Sequence, residues 1–145
     1  MSRKKKILIL GTTGQDGSFM AKFLLNKNFR VHGLVRKSAT GNMSNINELL
    51  NNKNFTIHHG DLLDLISIEK IIKEVKPNEI YNFADQDHVR WSFEIPSYSF
   101  NVTGAAVINL LEIIKKYSPR SKFFQPFSSN MFGSSKSKKQ DENEP

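Results

Sequence analysis

The chain of 145 residues has no cysteine, so disulfide bonds, thiol catalysis and cysteine-ligated zinc are all excluded. It also has no apolar run near the ~20 residues that a membrane span requires. The basic start Met1–Lys6 leads into the apolar run Ile7–Leu10, which is too short for the core of a signal peptide. From these absences we expect a cytoplasmic protein with no membrane partner.

Acidic residues are fewer than basic ones: 14 against 21, which gives a formal net charge of +7 and a pI near 9.7. Such an excess suits nucleic acid, an anionic membrane surface or a small phosphorylated ligand. Apart from Arg3–Lys6 and the cluster Lys136, Lys138 and Lys139, however, the cations are scattered in ones and twos. We therefore expect a solvated basic surface and no nucleic-acid partner.

Short apolar runs alternate with longer helical patterns, which is typical of a doubly wound parallel α/β sheet of the Rossmann type. The expected strands are Lys6–Leu10, Arg30–Val35, Phe55–His59, Glu79–Phe83 and Lys122–Phe127, and the expected helices are Ser18–Leu25, Leu65–Val75 and Val102–Lys116. Residues 1–133 are expected to form a dinucleotide-binding domain that is truncated after the fifth strand. Residues 134–145 are polar and aperiodic, which indicates a tail or loop. A fifth strand with no sixth predicts a fragment of a longer protein.

A glycine-rich segment directly follows the first strand and opens the first helix. It consists of Gly11, Thr12, Thr13, Gly14, Gln15, Asp16 and Gly17. The G-x-x-G-x-x-G spacing permits a tight turn, close approach of the backbone to a pyrophosphate, and close packing of helix on sheet. The free N–H groups of the helix N-terminus then face the anion. Because the segment lies between a strand and a helix, it predicts a dinucleotide site.

The residues after the second strand bear on which dinucleotide is bound. An NAD site would place an acid there, whereas this chain has Arg36, Lys37 and Ser38. Two cations favour the 2′-phosphate of NADP over NAD, although a solvated basic loop would have the same composition. After the third strand, Asp61 and Leu62 are a plausible adenine contact. No metal site is expected, because His58 and His59 are adjacent on a strand and point to opposite faces.

One set of segments between Lys5 and about Gly133 is informative in combination. It consists of Gly11–Gly17, Val35–Ser38, His59–Leu62, Val75–Pro77 with Glu79–Asn82, Gln86 with His88–Val89, and Ser128–Ser129 with Phe132–Gly133. Together these segments resemble the extended short-chain dehydrogenases that act on nucleotide sugars, and in particular the GDP-mannose 4,6-dehydratase family.

The resemblance implies a reaction, a cofactor and a set of site residues. Members of the family oxidise C4 of a GDP-hexose with NADP, remove the C5 proton, eliminate water across C5–C6 and return the hydride to C6. In the full-length form a homo-oligomer is expected. The implied cofactor contacts are Gly11, Thr12, Thr13, Gly14, Gln15, Asp16, Arg36, Asp61, Leu62, Phe83, Ala84, Asp85, Gln86, Asp87 and Tyr98.

The catalytic residues implied by the resemblance are incomplete. Ser128 stands where the family has the Ser or Thr that hydrogen-bonds the sugar 4-hydroxyl, and Asn130 stands where it has the glutamate that removes the C5 proton. An amide is no base near neutral pH. The Tyr-x-x-x-Lys pair of the family is missing from these residues, Asn45 replaces an arginine of its cofactor loop, and Asp85 and Asp87 replace small neutral residues.

These departures leave three interpretations open. The first is the cofactor-binding part of a nucleotide-sugar dehydratase. The second is a C4 epimerase or reductase of the same superfamily, which needs no C5 base. The third is a non-catalytic dinucleotide-binding module. Under each of them, we expect no turnover of a nucleotide sugar by this chain alone.

Overall fold

The computed structural model describes residues 4–39, 41–133 and 139–142, with the backbone alone for Ser129 and Asn130. Its centre is a sheet of five parallel strands in the order β3-β2-β1-β4-β5. The strands are β1 (Lys6–Leu10), β2 (Arg30–Val35), β3 (Phe55–His59), β4 (Glu79–Asn82) and β5 (Lys122–Phe124). The parallel Rossmann-type sheet is confirmed, and so is the central place of β1, whose residues Ile7–Leu10 are fully buried.

Helices connect the strands and cover both faces of the sheet. They are α1 (Gln15–Asn26), α2 (Leu65–Val75), α3 (Val89–Glu94), α4 (Pro96–Phe100) and α5 (Ala106–Tyr117), with a π-helical turn at Asn101–Ala105 and 3₁₀ turns at Ser44–Leu49 and Ser129–Phe132. The start of α2 shows how local sequence sets a boundary. The Asp64 side chain accepts hydrogen bonds from the backbone N–H groups of Ile66 and Ser67, and this caps the helix.

Alternation along the strands divides the core into two layers. Leu8, Leu10 and Ile80 face α2 and α5, whose inward residues include Ile72 and Leu110. On the other face, the core is built by α1 and the 3₁₀ turn at Ser44–Leu49. The residues buried there are Ile7, Ile9, Ala21, Leu24, Leu25, Val31, Val35, Ile46, Leu49 and Phe55. The two core layers pack on opposite faces of the same central strands. The candidate site described below lies at the carboxyl ends of those strands.

The structure differs from the sequence prediction mainly after β4. The fifth strand ends at Phe124 instead of Phe127, because Pro126 has no N–H to donate to a ladder. The short helices α3 and α4 occupy a stretch that has no periodic pattern of apolar residues. Of the predicted tail, only residues 139–142 are described, and they contain no helix or strand; residues 134–138 and 143–145 lie outside the described residues. The division at residue 133 stays a prediction.

Two histidines that are 26 positions apart form a pair on the α2 side of the sheet. His32 Nδ1 and His58 Nε2 lie 2.9 Å apart. Burial, followed by the charges of His58, Lys6 and Arg30, lowers the pKa of His32 to about 4. Burial also lowers the pKa of His58, against the opposing effect of Glu74. Both rings are therefore neutral at pH 7, and one donates a hydrogen bond to the other.

Metal-binding clusters and membrane-spanning helices are both absent from the described residues. No group of three or more His, Asp or Glu side chains there is placed to hold a metal ion. No helix in the same part of the chain is both long and apolar enough to cross a membrane.

Candidate dinucleotide site

A cavity of about 470 Å³ opens at the carboxyl ends of the central strands. It lies where the strand order reverses between β1 and β4, which is the usual ligand crevice of a doubly wound sheet. The residues that line it are Gly11, Thr13, Gly14, Leu34, Arg36, Asn42, Gly60, Asp61, Leu62, Phe83, Ala84, Asp85, Gln86, Asp87, His88, Trp91, Tyr98 and Val102.

The glycine turn that follows β1 could not be built from larger residues. Gly11 has a φ of +76°, and a Cβ there would lie 2.6 Å from the backbone of Phe83. A Cβ on Gly17 would lie 2.3 Å from the carbonyl oxygen of Gly11. The turn itself is closed by a 3.0 Å hydrogen bond from the N–H of Gly14 to the same oxygen. The glycines therefore bring α1 against β1 and β1 against the end of β4.

The start of α1 is open to an anion. Gly14 precedes the helix, and no side chain caps the first-turn N–H groups. A Cβ at Gly14 would meet only the Gly11 oxygen, at 3.3 Å, so the cavity side of the turn is bare backbone. Thr12 is fully buried and donates its hydroxyl to the Ile9 carbonyl at 2.7 Å, which fixes the turn from below. This cradle of glycines and free donors fits the pyrophosphate of a dinucleotide.

Two polar contacts hold the rim of the cavity. The Arg36 guanidinium, at the end of β2, donates a 2.8 Å hydrogen bond to the phenol oxygen of Tyr98 on α4. The Asn45 amide donates to the carbonyl of Thr13 at 2.9 Å, which ties the 3₁₀ turn to the glycine turn. The position that departs from the family arginine thus has a local role in this chain.

The loop after β4 is ordered by its own side chains. Asp85 accepts hydrogen bonds from the Thr103 hydroxyl at 2.5 Å and from the Gln86 N–H at 2.7 Å. The Gln86 amide in turn donates to the Ser99 hydroxyl at 2.8 Å and accepts from the N–H of His88. The loop is therefore fastened to α4 and to the π-helical turn.

The structure brings most of the predicted cofactor residues together around one cavity. The described site residues that it does not place in the lining are Thr12, Gln15, Asp16, Gly17 and Ser128. Gln15, Asp16 and Gly17 form the first turn of α1 beside the cavity, and Ser128 lies beyond β5. The Asn130 side chain lies outside the described residues. Sequence reasoning did not assign six lining residues to the site: Leu34, Asn42, Gly60, His88, Trp91 and Val102. Gly60 and His88 entered the sequence analysis only as parts of segments that carry the family resemblance. Of the six residues, only Trp91 could have been proposed from the sequence, because it is the one tryptophan of the chain and lies three positions after His88.

Comparison with known proteins agrees with this geometry. The family described as GDP-mannose 4,6 dehydratase matches residues 8–145 of the chain. The GDP-mannose 4,6 dehydratase of Cricetulus griseus is 43% identical over 138 residues, a match that covers 90% of this chain and 37% of that protein. The chain spans 39% of the length of GDP-mannose 4,6 dehydratase 1 of Arabidopsis thaliana and 36% of the length of the human GDP-mannose 4,6 dehydratase, little more than a third of each.

Solved structures show the same fold in nucleotide-sugar enzymes. The UDP-Glc/GlcNAc 4-epimerase of Campylobacter jejuni superposes with a TM-score of 0.87 at 23% identity, covering 97% of this chain and 42% of that one. The dTDP-glucose 4,6-dehydratase of Bacillus anthracis, solved in complex with NAD, gives a TM-score of 0.81 at 25% identity, covering 97% of this chain and 43% of that one. Since the family match takes in nearly every residue from β1 onward, the chain belongs to the GDP-mannose 4,6 dehydratase family.

Proposed function

We propose that this chain is the dinucleotide-binding part of a nucleotide-sugar dehydratase that uses NADP and acts on a GDP-hexose. The observation that carries the proposal is the glycine turn at the end of the central strand, where the cavity exposes bare backbone and uncapped helix N–H groups. When bound, NADP would supply the hydride acceptor and donor for the C4 oxidation and the C6 reduction that the family resemblance implies.

Each part of the cavity has a proposed task. The backbone of Gly11–Gly17 would bind the pyrophosphate, and Asp61 with Leu62 would contact the adenine. The loop Phe83–Asp87 and Tyr98 would hold the remainder of the dinucleotide. Asp61 is already oriented, because its carboxylate accepts a 2.9 Å hydrogen bond from the N–H of Leu63.

The choice of NADP over NAD rests on Arg36. Among the described residues that line the cavity, Arg36 is the single lysine or arginine, beside the carboxylates of Asp61, Asp85 and Asp87. Without Arg36, these carboxylates would repel a 2′-phosphate, which is itself negative. The planar guanidinium of Arg36 can instead bind a phosphate through two hydrogen bonds. Lys37 follows Arg36 in the chain but does not line the cavity.

The proposed catalytic residues are Ser128 and the position of Asn130. Ser128 would hydrogen-bond the sugar 4-hydroxyl, which it can orient but cannot deprotonate at neutral pH. Asn130 has no basicity with which to take the C5 proton. Since general acid–base groups contribute roughly 10²–10⁴-fold each, the chain alone is proposed to bind cofactor without measurable turnover.

Titration calorimetry of NADPH and NADH against the purified chain tests the proposal. For Arg36→Ala, we expect NADPH affinity to fall at least about tenfold, since a hydrogen bond to a charged group contributes roughly 1.5–3 kcal/mol. NADH affinity is expected to stay within about threefold. Lys37→Ala is the matched control, because it removes the neighbouring charge outside the cavity and should change neither affinity.

Two results would overturn the proposal in separable ways. If neither nucleotide binds the folded wild-type chain, the site is not a dinucleotide site. If both nucleotides bind and Arg36→Ala weakens them equally, the site stands but Arg36 does not read the 2′-phosphate.

A C4 epimerase or reductase of the same superfamily is the second candidate, and the asparagine at position 130 favours it, because that chemistry needs no C5 base. In a longer protein that contains this chain, mass spectrometry of the sugar product separates the two: a dehydratase product has lost one water, whereas an epimer keeps the substrate mass. The third interpretation, a non-catalytic module, would bind the dinucleotide and give no product in either form.

A further inference from the structure

The amino ends of the strands, at the opposite side of the sheet from the cavity, carry a dense set of cations. We call this set the basic edge. Its members lie at the first residues of the strands or in the turns just before them: Lys4, Lys5, Lys6, Lys27, Arg30, Lys53, Lys76, Arg120 and Lys122. These cations are scattered along the sequence. They lie together in the fold because parallel strands all begin at the same edge of the sheet.

Backbone contacts establish that these segments adjoin. Lys6 pairs with Arg30 across β1 and β2, and Glu79 pairs with Lys122 across β4 and β5. The N–H of Asn78 donates to the Lys6 carbonyl, and the N–H of Lys122 donates to the carbonyl of Asn78. On the β3 side, Lys4 donates to the side chain of Asn54 at 3.3 Å. The cations therefore form one row along the sheet edge.

This edge has a large excess of positive charge. Among the described residues, two carboxylates accompany its nine cations: Glu79, which is 3.5 Å from Lys5, and Glu74, which lines a shallow cavity with Lys4–Lys6 and Lys76. Nine cations and two carboxylates give this edge a formal charge of +7 at neutral pH, which equals the formal net charge of the chain.

The surroundings of the basic edge disfavour a specific phosphate site. The connecting helices run antiparallel to the strands, so their C-termini, not their N-termini, lie here. Lys6 Nζ donates to the carbonyl of Val75 at the end of α2, at 2.8 Å. Helix ends of this kind present carbonyl groups, which repel an anion at close range, although they stabilise nearby cations. An anionic partner would therefore be attracted by side-chain charge at longer range, without a backbone cradle.

The composition and shape of the edge select among polyanions. Seven of its nine cations are lysines, which act as hydrated point charges. Arginine, in contrast, binds individual phosphates and bases through paired hydrogen bonds from its guanidinium. Five strands abreast present a row roughly 20 Å wide. The described residues of this row are strand starts and the turns before them, not a helix or two-stranded ribbon of the kind that enters a groove of duplex DNA. A flat layer of anionic headgroups matches such a row.

We propose that the basic edge docks this protein peripherally on an anionic lipid surface, with the dinucleotide cavity directed away from it. The binding is electrostatic and involves no insertion. The sequence prediction of no membrane partner rested on the absence of an apolar span, which does not bear on peripheral electrostatic binding. The fold brings together cations that are scattered along the sequence.

Vesicle sedimentation tests this inference with the full chain. The probes are phosphatidylcholine vesicles with and without one third phosphatidylserine, at low and at high salt. The test variant is K53Q/K76Q/K122Q on the basic edge. The matched control is K22Q/K70Q/R90Q, which removes the same charge from α1, α2 and α3. Circular dichroism confirms that both variants are folded.

Wild type should bind only the anionic vesicles and should be released at high salt, because the Debye length falls to about 3 Å at 1 M. The basic-edge variant should partition roughly a hundredfold less, at about fivefold for each lysine, while the control stays within a few-fold of wild type. The inference is overturned if wild type does not bind, if both variants lose binding equally, or if duplex DNA binds more tightly than the vesicles at the same salt. Each of these outcomes is independent of NADPH binding, so it can be told from a failure of the proposed function.

Discussion

Replacement of Gly17 by alanine is the sharpest perturbation of the glycine turn. The new Cβ would lie 2.3 Å from the Gly11 carbonyl oxygen and 2.9 Å from its carbon. A carbon and an oxygen in contact normally lie about 3.3 Å or more apart, so roughly 1 Å of movement is required. Neither side can give easily. Gly11 is pressed against the backbone of Phe83, and α1 is anchored in the core by Ala21, Leu24 and Leu25.

The expected energy follows from two opposing effects. Overpacking of this kind costs about 1–3 kcal/mol, and backbone-to-backbone contact belongs at the upper end. Alanine inside a helix returns up to about 1 kcal/mol relative to glycine. The free energy of unfolding should therefore fall by about 2 kcal/mol, which corresponds to a melting temperature lower by roughly 8 °C for a domain of this size. NADPH affinity should fall as well, because the first turn of α1 shifts away from the cavity.

Gly104→Ala is the control. A Cβ there would meet only the Phe100 ring, at 3.7 Å, which is an ordinary contact. This variant should unfold at the same urea concentration as wild type or a slightly higher one. If Gly17→Ala is as stable as wild type by urea denaturation, or if both alanine variants are equally destabilised, then the close approach at Gly17 is not what the fold requires.

Three further measurements test other parts of the structure. Asp64→Ala should lower the free energy of unfolding by about 1 kcal/mol through loss of the α2 cap, whereas Asp64→Asn should retain most of that stability. If both variants are as stable as wild type, the cap does not stabilise the protein. Asn45→Ala should weaken NADPH binding several-fold in calorimetry with little change in melting temperature, because it frees the 3₁₀ turn from Thr13; an unchanged affinity would make that bond irrelevant to the site. Because burial lowers the pKa of His32 to about 4, the folded state binds fewer protons than the unfolded state between about pH 6.5 and 4. Stability that is complete above pH 6.5 should therefore be lost as the pH falls toward 4, and His32→Gln should flatten that loss in pH-dependent melting. An unchanged pH dependence in this variant would contradict the account.

The sequence predicted the parts of the fold that depend on short-range pattern. β1, β2, β3 and α2 begin and end where the apolar runs placed them, since a buried strand or an amphipathic helix leaves a periodic trace. α3 and α4 have no such trace, because their residues are mostly exposed and their place is set by contacts with the loop after β4. The π-helical turn at Asn101–Ala105 was likewise merged into one predicted helix.

In the candidate site too, the features that could be predicted were those with a local pattern in the sequence. The glycine turn and Arg36 were predictable because their positions follow strand ends directly. The His32–His58 pair was not, since it depends on the register of β2 against β3, which sets Leu34 beside His58 and leaves His32 diagonal to it. Asn45 was recognised only as a departure from a family pattern, and its bond to Thr13 depends on how the 3₁₀ turn packs on α1.

The two edges of the sheet have opposite characters for one topological reason. Each connection leaves the carboxyl end of a strand and returns to the amino edge. Three of the four contain α-helices, and the connection between β2 and β3 contains the 3₁₀ turn at Ser44–Leu49. Helix N-termini therefore gather beside the cavity, and helix C-termini gather beside the basic edge. A strand of five residues separates them by roughly 17 Å, which exceeds the Debye length of about 8–10 Å at ordinary salt. The charges of the basic edge therefore contribute little to nucleotide recognition, and the positive net charge of the chain is no argument for a phosphorylated ligand. That argument rests on Arg36 and the glycine turn alone.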